Sequence, residues 1–205
     1  LFCGNFGLDL PQLMILGSVA RVEGAVPLPE TTVGGSKFAY RKRLDGGYSV
    51  AQRSSSISEI TPDSFRLFLD YLPAWKSEWK DLRVRPGRRF FEEARRARTW
   101  DLDEATPFED LRTWDPMPNA AAVQGGLSHL QRIVPAFRDA RITHSWGGMM
   151  DTTPDGVPVI GAVERVPGFF IATGFSGHGF GIGPGAGKLA ADLISGERPY
   201  VDAEP

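Results

Sequence analysis

Between Phe175 and Lys188 the chain reads FSGHGFGIGPGAGK, with six glycines at every second position from Gly177 to Gly187. The stretch joins a compact apolar run, GFFIATG (168–174), to an amphipathic run in which Ala186, Leu189, Ala190, Leu193 and Ile194 recur at helical spacing. No spacer separates them. Pro184 is placed as a first helical residue and Gly196 as a helix stop. Glycine clusters mark flexible loops. They also let a flat or bulky ligand lie against bare backbone. A strand, a glycine turn and a helix N-terminus together make an acceptor for negative charge. Phe175, Phe180 and Ile182 inside the stretch are out of place in a free linker.

Two phosphate-binding readings fail. Gly181-Ile-Gly183-Pro-Gly185-Ala186 has the G-x-G-x-x-A spacing, but the chain ends at Pro205, too soon for the strand and acidic residue that a dinucleotide fold requires. Gly187-Lys188 is followed by Leu189, and Ile182 stands where a Walker loop needs its first glycine.

The rest of the chain reads as mixed helix and strand. Residues 13–23 (LMILGSVARVE) suit a strand, and KFAYRKRLDGGYSVAQR (37–53) a hairpin turning at Asp45-Gly46-Gly47. Thr61-Pro62-Asp63 starts a helix with Phe65, Phe68, Leu69 and Leu72 at apolar spacing. Residues 99–118 read as irregular, and Asn119 caps a helix to about Val134, with Leu127, Leu130, Ile133 and Val134 on one face. RITHSWGGMM (141–150) is a strand, and DTTPDGVPVIG (151–161) a turn before a short apolar run.

Composition narrows the function. Basic and acidic residues number 23 and 25, which argues against a nucleic-acid or membrane-surface partner. Residues 83–98 hold seven Arg, but Glu92 and Glu93 sit at helical spacing to Arg95 and Arg96, as in solvated ion pairs. Cys3 is the sole cysteine, so neither a disulfide framework nor a cysteine metal site is expected, and no other metal site is assigned. That suits a reducing cytoplasm. No apolar run has membrane-span length and no signal peptide opens the chain. It begins Leu1-Phe2-Cys3-Gly4 without Met, as a processed or excised piece would.

TPDGVPVIG (153–161) followed by GFFIATGFSGHGFGIGPGAGKLAADLISG (168–196) resembles the C-terminal motifs of the FAD-dependent amine oxidoreductases of the D-amino-acid oxidase, glycine oxidase and sarcosine oxidase family. Weaker similarity covers LFCGNFGLDLP, GSVARVE, the hairpin and RITHSWGGMMDTTPDG. The resemblance implies an α+β chain that is part of an α/β two-domain flavoenzyme. Residues 1–145 would be a substrate-binding domain of antiparallel sheet and helices. Residues 146–205 would be a flavin-facing segment of the FAD domain, closing with strand, glycine loop and helix.

The resemblance places the glycine stretch along the pyrimidine side of a non-covalent FAD. The implied flavin neighbours are Pro154, Asp155, Gly174, Phe175, Ser176, Gly177, His178, Gly179, Phe180, Gly181, Ile182 and Gly183. His178 is the candidate catalytic residue: it either tunes the flavin or accepts a proton, or else bonds the loop backbone. His129 reads as a surface or packing residue, and His144 alternates with Ile142 and Trp146. A substrate carboxylate calls for arginine. Arg41 and Arg43 share a strand face with Tyr48 across the turn, although charge also blunts edge strands. Trp146 either walls the substrate cavity or packs in a core.

The implied reaction is oxidation of the C–N bond of an amino acid or secondary amine by hydride transfer to flavin N5. The alternative is a non-catalytic subunit of a heteromeric dehydrogenase. The dinucleotide-binding half is absent from these residues, so a longer chain or a partner subunit would supply it. Without that half, Phe169–Ile171 and the last helix would expose apolar surface. Two departures stand out. Gly148 occupies the position of the flavin-linking Cys of sarcosine oxidases, and Gly181 that of their oxygen-activating Lys. A dehydrogenase with another acceptor is therefore as well supported as an oxidase.

Overall fold

The computed structural model describes residues 2–53, 55–78, 82–101, 103–110 and 112–203. Its spine is β1 (Leu13–Glu23). Alternate β1 residues Leu16, Ala20 and Val22 are buried, which gives the strand one core face and one open face. Four short strands follow: β2 (Val33–Gly34), β3 (Ala39–Lys42), β4 (Tyr48–Ala51) and β5 (Ser56–Glu59). After helices α1 (Pro62–Arg66) and α2 (Phe68–Glu78) come β6 (Leu82–Arg85), α3 (Arg89–Arg95), α4 (Pro107–Asp110) and α5 (Ala120–Ile133). The chain closes with β7 (Arg141–Thr152), β8 (Val159–Ala162), β9 (Phe170–Thr173) and α6 (Gly179–Ser195).

One sheet runs β2-β3-β4-β1-β5-β6, with β7 also pairing β1. β4 and β5 occupy different lengths of β1, at Val19–Val22 and Ile15–Leu16. β7 pairs antiparallel along all of β1, from Leu13↔Thr152 to Glu23↔Arg141, with a bulge near Arg21. β7 therefore runs uninterrupted through position 145/146. β8 and β9 form a separate antiparallel pair.

The core lies where α5 crosses the sheet. Leu127, Leu130 and Val123 pack on Ala20, Val22, Tyr48 and Val50, with Phe137 beneath. Gly126 permits the approach, because a Cβ there would meet Gln52 N at 3.0 Å. Asn119 Oδ1 accepts from the N–H groups of Ala121 and Ala122, the expected cap. Ile133 is 61% exposed rather than on the buried face, because α5 ends there and Val134 leaves the helix.

The stripe Phe65, Phe68 and Leu69 is exposed. The helix breaks at Leu67, which turns inward and is buried instead. Tyr71 then accepts from Leu13 N at 3.0 Å and donates to Thr152 O, tying α2 to the end of the sheet. Glu93 pairs with Arg89 rather than with Arg95 or Arg96. No helix of the described residues is long and apolar enough to cross a membrane.

Asp63 joins α1 to the arginine-rich segment, accepting from Arg66 at 2.9 Å and Arg98 at 2.8 Å. Burial pushes its carboxyl up, but the hydrogen bonds and charges of Arg98 and Arg66 outweigh burial and leave it below its ordinary 3.8. A carboxyl lowered by folding stabilises the protein above its ordinary value and stops doing so as pH falls through the folded value. The urea midpoint is therefore expected to drop on acidification below 3.8, and Asp63→Asn to flatten that limb. Parallel limbs in the two proteins would show that Asp63 is not linked.

Candidate functional site

The open face of the sheet is built by register. Arg41, Ser49, Arg21 and His144 form one cross-strand row. Ala39, Ala51, Val19 and Trp146 form the next, then Gly17 with Gly148, and Ile15 with Met150. α5 covers the opposite face. His144 stacks on Trp146 with ring centroids 6.0 Å apart. A Cβ added to Gly148 meets nothing within 4 Å, so the sheet has bare, exposed backbone there.

The glycine stretch hangs over the Met150 end of this face. A Cβ on Gly177 would lie 3.0 Å from Met150 Sδ. Gly174, Ser176 and Gly177 have φ of 76°, 49° and 83°, the left-handed conformation. Thr153 N–H donates to Ser176 Oγ at 3.3 Å, which joins the two sequence motifs in space. Pro154 and Asp155 form a turn in which Asp155 Oδ1 accepts from Val157 N at 2.9 Å.

α6 begins at Gly179, not at Pro184, which lies inside the helix. Glycines from Gly179 onward up to Gly187 have no positive φ, so they enter the helix like other residues. Their service is the missing Cβ: Gly181, Gly183 and Gly187 face open space, and Gly185 admits Tyr200, whose hydroxyl donates to Gly185 O at 3.0 Å. His178 is the exposed N-cap residue, and its side chain makes no capping bond. Its carbonyl accepts from Gly181 and Ile182, while the N–H groups of Gly179 and Phe180 engage no partner among the described residues.

Residues 79–193, more than half of the chain, match the DAO family, FAD dependent oxidoreductase. The chain belongs to that family. It is 29% identical to glycine oxidase of Pseudomonas aeruginosa over 92 residues, 45% of this chain and 25% of that protein. Its structure is similar to L-amino acid deaminase from Proteus vulgaris, with TM-score 0.89, 27% identity, and coverage of 98% of this chain and 46% of that one. Similarity to L-amino acid deaminase from Proteus myxofaciens, in complex with anthranilate, has TM-score 0.90 and 30% identity, covering 97% and 44%. The chain thus spans about a quarter of the curated relative it matches and under half of each solved one.

The DAO family is FAD-dependent, and the residues present fit a flavin ring. Gly148 leaves bare, exposed backbone on the open face of the sheet, and Gly177 packs on Met150 at the end of that face. Two N–H groups without partners among the described residues stand at the positive end of the α6 dipole, two and three residues after Gly177. Phe180 is 98% exposed at the helix start, and Ile182 and Ile194 are also exposed, as expected of the last helix. Phe169 is not: it stacks on Phe6 at 5.2 Å.

The substrate-side candidates separate. Arg41 is exposed and has no carboxylate partner among the described residues. Arg43 lies just past β3 on the same face, engaged with Asp45 at 3.1 Å and Ser49 at 3.4 Å. Trp146 is half-buried on the open face. Tyr48 lies in the core, 2% exposed, and its hydroxyl accepts from Leu28 N at 2.7 Å. His129 faces its own helix, with Nδ1 2.8 Å from Gly125 O.

Sequence reasoning missed Arg21, which pairs with Glu23 at 2.7 Å and Asp45 at 3.3 Å. The hydrogen bond from Arg43, with the charges of Arg21 and Arg43, holds the Asp45 carboxyl below its ordinary value against some desolvation. The signal for Arg21 was parity: it sits out of phase with the buried Ala20 and Val22.

Proposed function

We propose that this chain is the substrate- and flavin-ring-facing part of an oxidoreductase that oxidises the C–N bond of an amino acid or secondary amine. The observation that carries this reading is the bare backbone at Gly148, on the sheet face that presents Arg41 and whose Met150 end meets Gly177, two residues before α6 begins. Residues 1–145 bind substrate, residues 146–205 face the flavin, and β7 carries the chain from one to the other. FAD, when bound, supplies the two-electron acceptor for the hydride leaving the substrate carbon.

The chain's own groups do the rest. Arg41 grips the substrate carboxylate, with Arg43 held by Asp45 as a second positive group. His144 and Trp146 wall the cavity. The amides of Gly179 and Phe180 would stabilise negative charge on a flavin ring held beside them, because they are preorganised and need not reorient. His178, the exposed N-cap residue, would lie beside a ring held at the α6 N-terminus. Substrate orientation replaces a strong base, since the amine loses its proton to solvent before transfer. The imine that remains hydrolyses to a carbonyl compound and an amine. The anthranilate held by the Proteus myxofaciens relative is an aromatic amino-carboxylate, a chemistry suited to a sheet face that carries both Arg41 and Trp146.

The test is a visible absorption spectrum of the full-length protein supplied with FAD, then titration under nitrogen with L-amino acids, D-amino acids, glycine, sarcosine and proline. Bleaching of the flavin bands by one class supports the reading and names the substrate class. Re-oxidation by air or only by an artificial acceptor then separates oxidase from dehydrogenase. Flavin bands that no amine bleaches would refute the amine chemistry.

A further inference from the structure

The loop's left-handed residues need something to hold them. Ser176 at φ 49° is a strained conformation for a residue with a Cβ, and such strain persists only where surrounding bonds over-determine it. Most of those bonds come from outside the loop. Asp151 Oδ2, near the end of β7, accepts from Gly174 N at 2.8 Å, Gln12 Nε2 at 3.1 Å and Thr173 Oγ1 at 3.3 Å. Gln12 Nε2 also donates to Thr173 Oγ1 at 3.0 Å. Ser176 Oγ donates to Gly174 O at 3.1 Å and accepts from Thr153 N at 3.3 Å. Gln12, Asp151 and Thr153 lie on or beside the large sheet, whereas Thr173, Gly174 and Ser176 follow from the small one.

We infer that Asp151 is a positioning residue: its carboxylate rivets the start of the flavin-facing loop to the substrate-facing sheet and so fixes where Gly177 seats on Met150. One oxygen serves three donors from two distant places in the chain, Gln12 and the Thr173-Gly174 pair. Gly174 is buried, so its N–H has no water to turn to if the oxygen is removed. The main core around α5 and Phe137 is built from other residues, so the rivet acts locally. A shift of about 1 Å at such a contact is enough to disturb a catalytic geometry severely. The inference rests on the flavin reading above.

The test uses the full-length protein, with two readouts: the Kd for FAD and amide hydrogen exchange of the apo form. Asp151→Ala is expected to raise the Kd about tenfold, and to speed exchange across residues 174–179 about tenfold, because a buried N–H loses its acceptor. Exchange in α5 stays at the wild-type rate. Asp151→Asn keeps one oxygen for Gly174 N and restores most of both. The inference is overturned if Asp151→Ala leaves both readouts unchanged, if α5 loosens as much as the loop, or if Asp151→Asn is no better than Asp151→Ala. If the wild-type protein takes up no FAD, the flavin reading falls, and the exchange measurement alone decides the rivet.

Discussion

Gly148→Phe is expected to abolish FAD binding while leaving the fold as stable as before. The position is exposed, and an added Cβ meets nothing within 4 Å, so the ring has room in the apo protein. Replacing glycine by an aromatic residue in a strand costs nothing intrinsically. The urea midpoint should therefore move by no more than about 0.5 kcal/mol equivalent. The ring, however, would stand between Trp146 and Met150, on the face whose Met150 end meets Gly177. A weakening of at least about 100-fold in FAD affinity follows, which is about 2.7 kcal/mol. Gly148→Ala, with one methyl group, should fall between the two. Normal flavin loading of Gly148→Phe would move the flavin off this face.

Phe137→Ala is expected to cost about 3–5 kcal/mol of stability, measured by urea denaturation. Phe137 is 0% exposed and meets Tyr40 at 5.1 Å and Tyr48 at 4.9 Å. Those rings, with α5, hold the buried face of β1 and β4, and the open face is the reverse side of the same strands. A cavity there loosens the platform that carries Arg41, Ser49 and Arg21. A loss below about 2 kcal/mol would mean that neighbouring side chains collapse into the space.

Local chemistry was legible where one residue decides the outcome. Asn119 has a short oxygen and starts α5 as expected, and Gly196 at φ 72° stops α6. Pro184 misled because proline suits a first turn, but it does not define one. The glycines before it lack positive φ and extend the helix back to Gly179. Tyr48 misled for a different reason. Register pairs Arg41 with Ser49, which turns Tyr48 to the core. That register depends on the length of the 43–47 turn, and a slip of one residue exchanges the two faces. The exposed stripe from Phe65 to Leu69 followed from a helix break at Leu67 that periodicity does not reveal.

The residues alone determined that a glycine-bare backbone would meet a helix N-terminus after a strand, since missing Cβ atoms and free N–H groups are local properties. They also determined the family, through two motifs in order. Only the tertiary structure decided which strand the glycine loop meets and which residue bonds its first amide. Asp151, Gln12 and Gly174 are far apart in sequence and meet because β1 and β7 pair along their whole length. Such long-range contacts follow from register and packing, which no short segment encodes by itself.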